Sequence, residues 1–261
     1  MKRVIILFLL APAFAWGQRY QLALPQLTVD SVFFRQNARV EMAFDLDSAS
    51  IHYTLDGTYP KDSSPVYTKP LLLQNSGIVR AKATHPDYIP GQQTTQQVIK
   101  VAAVPDSVRL LTAPDTLYPG NYTSTLFDLK KGTQNLKDGR WLGFRADTVV
   151  LETYFNKPFS CNILMISTLF DAAAWVFPPA RIEVLGASGD KEWRPIGLWS
   201  AQDGGVRKDK PAKYELYQKV ILRKTEVNRL QIRIIPYGPL PEWHAGAGQT
   251  AWLFLDEIVF Q

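Results

Sequence analysis

The sequence predicts an all-β protein, and three observations lead to that class. Apolar residues almost nowhere recur with the period of a helix. Short runs of β-forming residues follow one another instead, and Pro, Gly, Asn and Asp interrupt them roughly every 8 to 12 residues. Once an N-terminal leader is set aside, roughly 240 residues remain, which is enough for one large or two modest domains.

The leader has the features of a secretory signal peptide. Lys2 and Arg3 precede an apolar run from Val4 to Leu10, and small residues precede two possible cleavage points. The run is too short for a transmembrane helix, which needs about 20 apolar residues. We therefore expect residues 1–17 to be removed, no membrane span, and a secreted or periplasmic location that includes association with the cell surface.

The remaining chain divides into two groups of predicted strands. A Pro-rich polar stretch over residues 101–123 separates them. We predict a module at 18–104 of the size of an immunoglobulin- or fibronectin-like sandwich, and a module at 105–261 of the size of a jelly roll. The predicted strands are 38–45, 50–54, 71–73, 78–84, 96–102, 148–155, 161–169, 181–187, 193–199, 215–223, 228–235 and 251–260.

Charge and cysteine content exclude several classes of function. The formal net charge is +5, but the 29 basic residues are spread evenly and form no basic run with interleaved aromatics, so nucleic acid is not an expected partner. The single cysteine, Cys161, cannot form an intramolecular disulfide. It lies in the apolar string CNILMIST, so we expect it to be buried as a small hydrophobic residue.

The first module contains a specific pattern, YTLDGTYP followed by GIVRAKATHPDYIPG. Asp56 and Gly57 supply turn chemistry, because Asp bonds to nearby backbone and Gly accepts a positive φ. Over about residues 24–100 this pattern resembles the immunoglobulin- or fibronectin-like module at the C-termini of bacterial chitobiases and β-hexosaminidases. The resemblance implies an accessory module without catalytic residues. His52 is expected on an exposed strand face, with no second ligand at metal-binding spacing.

The second module carries three separated motifs, DGRWLGF, WVFPPARIEV and PEWHAGAGQTAWLFLDEI. Over about residues 122–261 they resemble the discoidin or coagulation-factor 5/8 type C domain, a galactose-binding-like jelly roll. More narrowly, they are similar to the version appended to Bacteroidetes family-20 hexosaminidases and related secreted proteins. The resemblance implies that loops at one end of the jelly roll form a shallow site.

Sugar binding needs a flat aromatic surface with polar groups around it. Trp243 and His244, on a loop shaped by Pro and Gly, supply this combination, and the expected glycan site is completed by Arg140, Trp141, Trp175 and Asp171. Packing is the competing interpretation. It applies most strongly to Trp141 and Trp252, which lie where strand and core residues are expected, whereas Trp243 and Trp175 lie in loops.

The resemblance also implies a structural Ca²⁺ near the chain ends, held by carbonyl and carboxylate oxygens. Asp128 in the first acidic loop and Glu257 in the last strand match the places of the carboxylate ligands, and oxygen-only ligation suits this hard cation. Leu129 departs from the pattern, because a Gly often follows the Asp there.

The sequence does not predict an enzyme. Asp256 and Glu257 are adjacent on a strand and should point to opposite faces, so they cannot flank one glycosidic bond. The chain also has no nucleophile elbow, phosphate loop, dinucleotide fingerprint or zinc signature. We therefore expect a non-catalytic protein that binds amino-sugar or galactose-type glycans. The alternative is a module that binds a protein of the cell surface or the outer membrane, without sugar binding.

Overall fold

The computed structural model describes residues 20–201 and 213–261. The predicted signal peptide lies outside the described residues. Within them, the regular structure consists of one short 3-10 helix, Tyr122–Leu126, and strands, which confirms the all-β class. No helix among these residues is long and apolar enough to cross a membrane.

The first strands of the chain form two small sheets. One has the order β1-β3-β5 and the other the order β2-β7-β6-β4. The strands are β1 (Gln26–Val29), β2 (Phe33–Phe34), β3 (Ala38–Ala43), β4 (Ser50–Thr54), β5 (Leu71–Leu73), β6 (Gly77–Thr84) and β7 (Thr94–Lys100).

The remaining strands form two larger antiparallel sheets, with the orders β13-β12-β15-β10-β8 and β14-β11-β16-β9. The strands are β8 (Ser107–Leu110), β9 (Leu142–Phe144), β10 (Val149–Phe159), β11 (Ile163–Asp171), β12 (Arg181–Ala187), β13 (Arg194–Ser200), β14 (Lys213–Ile221), β15 (Val227–Ile235) and β16 (Leu253–Phe260).

The main hydrophobic core lies between these two larger sheets. Leu151, Val184 and Ile232 come from the five-stranded sheet, and they are buried in one cluster with Ile166 and Leu255 from the four-stranded sheet. Burial of such side chains contributes about 1.5 to 3 kcal/mol each. The arrangement is the predicted two-sheet sandwich. The buried lone thiol is also confirmed, since Cys161 belongs to this core and burial raises its pKa to about 11.

The described residues separate into two compact units. The smaller contains residues 20–28, Glu41–Pro70 and Ile78–Gln96, and the larger contains Val29–Val40, Leu71–Gly77 and the residues from Gln97 onward. The domain boundary expected between residues 104 and 105 stays a prediction.

Each of the twelve predicted strands has a counterpart, with ends displaced by a few residues. Four strands were not predicted, namely β1, β2, β8 and β9. They are only two to four residues long, and so short a run contains too few residues to show an alternating pattern.

The turn after β4 has the predicted chemistry. The Asp56 carboxylate accepts hydrogen bonds from the Thr58 amide at 3.0 Å and from its hydroxyl at 2.6 Å, and Gly57 has a φ of +79°. The hydroxyl of Thr58 is the main cause of the lowered pKa of Asp56. Asp56 is therefore a turn residue.

The prediction that His52 lies on an exposed strand face is wrong. The side chain is buried, and its Nδ1 lies 3.0 Å from the carbonyl oxygen of Ser64. Backbone bonds from the Tyr53 amide to Pro65 and from the Tyr67 amide to Ile51 hold residues 65–67 beside β4. A strand pattern alone does not reveal that a following loop covers one face.

Candidate functional site

Among the described residues, three loops lie at one end of the larger sandwich. Loop 145–148 joins β9 to β10, loop 172–180 joins β11 to β12, and loop 236–252 joins β15 to β16. Phe144 at the end of β9 pairs with Leu253 at the start of β16, and the end of β15 lies beside the start of β12. Both loops that carry the predicted Trp243 and Trp175 therefore lie at this end, which we call the loop end.

The loop 236–252 is braced by its own backbone. Pro239 forms a bridge with Thr250, and the Leu240 amide donates to the Gln249 carbonyl at 2.7 Å. Gly248 has a φ of +81°, a conformation that residues with a Cβ rarely adopt. Backbone pairing of the residues before and after Trp243 and His244 thus holds the segment that carries them.

Trp243 is the exposed aromatic residue of this loop, with 38% of its surface accessible. Its ring lies 6.1 Å from that of Phe177, at an interplanar angle of 36°. Phe177 is completely buried and packs in turn against Tyr237 at 4.9 Å. The indole therefore packs on Phe177 on one side and is partly exposed, and its contact with a glycan stays a prediction.

His244 connects two loops through both ring nitrogens. Nε2 lies 2.7 Å from the carbonyl oxygen of Ala172, and Nδ1 accepts a hydrogen bond from the Gly246 amide at 3.0 Å. A carbonyl can only accept, so Nε2 carries the proton and Nδ1 does not. Neither nitrogen is left for a sugar hydroxyl. The structure corrects the expected role of His244 from ligand contact to positioning of Trp243.

Trp175 is half-buried and lies beside His244. Its ring makes an edge-to-face contact with His244, with 6.1 Å between centroids. A Cβ added at Gly246 would come within 2.8 Å of Cζ2 of Trp175, so the close approach of indole to backbone needs glycine at this position. Trp175 has a φ of +63°, which costs energy for a bulky residue. The structure thus packs Trp175 against the loop that carries Trp243.

Asp171 also lies at the loop end, but it is buried and its carboxylate is engaged. One oxygen accepts the Ala174 amide at 3.1 Å, and the other forms an ion pair with Lys213 at 3.0 Å. Asp171 therefore stabilises the turn that precedes Trp175. This is a correction to the expectation that it contacts a glycan.

Trp141 and Arg140 belong to a different cluster. Trp141 is only 1% exposed, and its Nε1 donates to the Thr133 carbonyl at 2.7 Å. A Cβ at Gly132 would come within 2.4 Å of the indole. Arg140 is exposed and donates to the Lys131 carbonyl at 3.2 Å. The prediction that Trp141 contacts a glycan is wrong, because its faces are covered by protein, and the structure shows no contact between Arg140 and the aromatic residues of the loop end.

Lys131 is a residue that sequence reasoning missed. Its ammonium lies 2.6 Å from Oδ2 of Asp256, 3.1 Å from the Ser167 hydroxyl and 4.9 Å from the centroid of a Trp141 ring. The Gly132 amide donates to the same carboxylate oxygen at 2.8 Å. Asp256 is 125 residues away in sequence, so no local pattern could have indicated this pair.

A β-bulge in β16 changes the expected directions of Asp256 and Glu257. Ser167 pairs with Glu257 and Thr168 with Leu255, which leaves Asp256 as the additional residue. Leu255 and Ile258 both lie in the main core although they are three positions apart, so strict alternation fails here. The two carboxylates therefore do not project to opposite faces as strand geometry predicted.

Glu257 is completely buried, and neither of its carboxyl oxygens has a hydrogen-bond partner within the described ranges 20–201 and 213–261. Burial, reinforced by the charges of Asp128 and Asp256, raises its pKa to about 10. The amides of Leu129 and Lys130 lie near enough to oppose this rise, but neither forms a hydrogen bond of normal geometry.

Leu129 has a φ of +62°, the left-handed conformation in which the expected Gly would be unstrained. An unpartnered buried carboxylate facing a second carboxylate, Asp128, fits an oxygen-ligated cation. Further ligands would have to be carbonyl oxygens or water, because no group of three or more His, Cys, Asp or Glu side chains among the described residues is placed to hold a metal.

Several solved structures are similar to this chain at low identity. They include a chitosan-binding module of a chitosanase/glucanase from Paenibacillus sp. IK-5, with 8% identity, coverage of 62% of this chain and 98% of that chain, and a TM-score of 0.38. The C-terminal domain of a chitobiase from Bacteroides fragilis has 11% identity, with 61% and 95% covered and a TM-score of 0.38. A SusE-like protein has 8% identity, with 90% and 95% covered and a TM-score of 0.36.

No curated protein sequence matches the chain at a significant level. Residues 30–96 match the sequence model of the chitobiase/β-hexosaminidase C-terminal domain. This match confirms the resemblance inferred for the first module from its YTLDGTYP and GIVRAKATHPDYIPG segments.

Proposed function

We propose that this protein binds carbohydrate without cleaving it, through the loop end of the larger sandwich. The observation that carries the proposal is Trp243, an exposed indole on a self-braced loop, supported by buried Phe177 and positioned by His244. Sugars stack their CH faces on such rings, while polar groups nearby bond to their hydroxyls. Trp175 extends the same surface.

The class of glycan is proposed from the first module. Chitobiases and β-hexosaminidases act, by their names, on amino-sugar glycans, and residues 30–96 match a domain of those enzymes. We therefore propose amino-sugar glycans as the first ligands to test, with galactose-type glycans second.

Affinity for a single sugar should be weak. Covering part of one Trp face removes on the order of 80 to 100 Å² from water, which contributes roughly 2 to 2.5 kcal/mol. A few hydrogen bonds of about 1 kcal/mol each raise the total only to millimolar or high-micromolar affinity. Binding to polymers or to clustered glycans would strengthen it through multivalency.

The absence of catalysis is part of the proposal and is supported by how the carboxylates are used. Asp171 and Asp256 are both held in ion pairs with lysines, at 3.0 and 2.6 Å. Glu257 is buried beneath the loop that follows Asp128. Glycoside hydrolysis needs two carboxyl groups facing one sugar bond, and none of these three is exposed to meet a sugar.

A structural calcium ion at Asp128 and Glu257 is a second part of the proposal. It is supported by the two unpartnered oxygens of Glu257. Without a cation the buried carboxyl stays protonated, because its pKa is raised to about 10. A bound cation would stabilise the ionised form and would supply rigidity to the loop beside β16.

The location we propose is the bacterial exterior or periplasm, including the cell surface. It rests on the basic and apolar leader in residues 1–17.

The second candidate function, binding of a cell-surface protein, is favoured by a different observation. Leu198 on β13 and Ile221 on β14 are 58% and 62% exposed, and they line one shallow groove together with Pro195 and Gly197. Exposed apolar side chains that lie together are a feature of protein interfaces.

The experiment that separates the two functions is binding of the purified protein to a broad glycan array, with calcium and with a chelator. A cluster of hits that share one terminal sugar is expected. A blank array from protein that shows a cooperative thermal transition would overturn the sugar proposal and favour a protein partner at the groove.

A further inference from the structure

A second aromatic feature lies at the loop end, on the loop between β9 and β10. The guanidinium carbon of Arg145 lies 5.2 Å from the centroid of the Trp252 ring. Trp252 is itself braced, with Tyr118 edge-on at 5.3 Å and Phe254 at 5.9 Å. The indole therefore serves as a fixed base on which the arginine rests, and cation–π attraction limits the motion of the guanidinium.

The nitrogen donors of Arg145 have no partner among the residues that the structure describes. The side chain is exposed, and its guanidinium forms no hydrogen bond or ion pair with any described residue. Two other arginines of the same module are engaged by contrast, since Arg140 bonds to the Lys131 carbonyl and Arg181 pairs with Glu183. Arg145 thus presents up to five N–H donors in a planar fork at the surface.

Arg145 is connected to the proposed sugar surface through the backbone of Trp252. The Trp252 amide donates to the Trp175 carbonyl at 2.8 Å, and the Phe177 amide donates to the Trp252 carbonyl at 2.9 Å. Phe177 is the residue on which Trp243 rests. The arginine and the two loop tryptophans therefore belong to one hydrogen-bonded set of segments at the same end of the sandwich.

We propose that Arg145, stacked on Trp252, forms a subsite for a negatively charged substituent of the bound glycan. The substituent is the carboxylate of a uronic acid residue or a sulfate ester on a sugar. This inference rests on the proposed function of the loop end and deepens it by naming the charge class of the ligand.

The chemistry of the side chain favours this ligand. A guanidinium fork matches the two oxygens of a carboxylate or a sulfate and binds both at once, whereas a lysine ammonium acts as a point charge. Stacking on Trp252 restricts the arginine before binding, so less conformational entropy is lost when the anion arrives. The formal net charge of the full sequence is +5, and it is 5 − 2 = +3 once Lys2 and Arg3 leave with the expected signal peptide. This positive charge adds a long-range attraction for acidic glycans.

The test compares three oligosaccharides of equal length by calorimetric titration of the purified protein. One contains only neutral N-acetylglucosamine, one contains glucuronic acid, and one carries a sulfate ester. We expect an acidic probe to bind about two- to fivefold more tightly than the neutral probe at low salt, as one exposed ionic contact provides. This advantage should shrink as salt is raised, while neutral binding should not change.

The variants are Arg145→Gln, Arg145→Lys and the matched control Arg194→Gln. Arg194 is also exposed, but it lies at the start of β13, away from the loop end. Arg145→Gln should abolish the preference for the acidic probe and leave neutral binding intact. Arg145→Lys should retain only part of the preference, because it keeps the charge but loses the stacked fork. Arg194→Gln should leave the preference unchanged.

The outcomes separate this inference from the function on which it rests. If the neutral probe binds but neither acidic probe binds more tightly, or if Arg194→Gln reduces the preference as much as Arg145→Gln, the subsite is refuted while sugar binding stands. If no probe binds, both fail. A preference for one acidic probe supports the subsite and shows whether a carboxylate or a sulfate is its ligand.

Discussion

Two tryptophan regions of the larger sandwich have similar residues and opposite settings. Trp141 lies against Gly132 and beneath Lys131, and it is 1% exposed. Trp243 lies on a loop whose Gly246 packs against another indole, and it is 38% exposed. Both regions combine an aromatic ring, a glycine and polar groups. What distinguishes a core from a binding surface is whether the chain covers the ring, and composition does not encode that.

A second contrast lies between two neighbouring residues, Asp256 and Glu257, in the region around the buried Trp141 and Lys131. Asp256 has an ammonium at 2.6 Å and a backbone amide at 2.8 Å. Its neighbour Glu257 has no partner for either oxygen. Two adjacent carboxyl groups, both buried, thus differ in their partners: the charge of Asp256 is paired with an ammonium, whereas burial raises the pKa of Glu257 to about 10 and keeps it protonated without a cation. This difference predicts that loss of the Asp256 side chain lowers the stability of the fold, whereas a bound cation raises that stability through Glu257.

The largest loss of folding stability should follow from removal of the buried Trp141 side chain. Truncation by Trp141→Ala removes a fully buried indole and its hydrogen bond to Thr133, and we expect a loss of about 3 to 5 kcal/mol in the free energy of unfolding. Urea denaturation followed by circular dichroism measures it. Trp243→Ala is the matched control, and an equal loss in the two variants would erase the contrast between the regions.

Loss of Asp256 should have the next largest effect. Asp256→Ala leaves the Lys131 ammonium and the Gly132 amide without their carboxylate, and removal of one partner of a buried ion pair typically costs about 3 to 5 kcal/mol. Lys131 retains some access to solvent, so we expect about 2 to 3 kcal/mol in the same denaturation experiment. The double variant Lys131→Met/Asp256→Leu should recover much of this loss. A single variant as stable as the parent would show that the pair contributes nothing.

Calcium should act at Glu257 with a smaller effect. At a concentration about 100 times the dissociation constant, a ligand specific to the folded state contributes about 2.7 kcal/mol. We therefore expect calcium to raise the thermal transition of the parent protein, and Glu257→Gln to abolish that increase. In chelator the variant should be at least as stable as the parent, since it removes an uncompensated buried acid. A calcium response that survives in Glu257→Gln would place the ion elsewhere.

The sequence was sufficient for the fold because most strands are long enough to show a pattern. β10, β11 and β15 each contain nine or more residues with β-forming side chains, and all were predicted. Strand pattern could not indicate which face a loop covers, so His52 was expected at the surface and is buried. The bulge at Asp256 was also missed, because it depends on pairing with β11 rather than on local sequence.

The candidate site was predicted in part, for a related reason. Trp243 and Trp175 were predicted as ligand contacts because they lie in loops, whose residues tend to be exposed, and those contacts stay predictions. Their supports were not found, since Phe177 and Gly246 act through contacts made by distant segments. The sequence did not indicate a role for Arg145, because a single arginine in a short loop is common and only the fold places it over Trp252.

The smallest effect on folding and the largest on binding should come from Trp243. Its exposed indole contributes little to the core, so Trp243→Ala should lower the free energy of unfolding by less than about 1 kcal/mol. The same change removes the roughly 2 to 2.5 kcal/mol expected from stacking, which weakens a millimolar ligand beyond detection. Quenching of tryptophan fluorescence by N-acetylglucosamine oligosaccharides measures the response. Trp193→Ala is the matched control, because Trp193 lies in the turn between β12 and β13 and makes a cation–π contact with Arg229 of β15. If Trp193→Ala abolished the response and Trp243→Ala did not, the sugar surface would lie at the opposite end of the sandwich, and exposure of Trp243 would have to be explained by a protein partner.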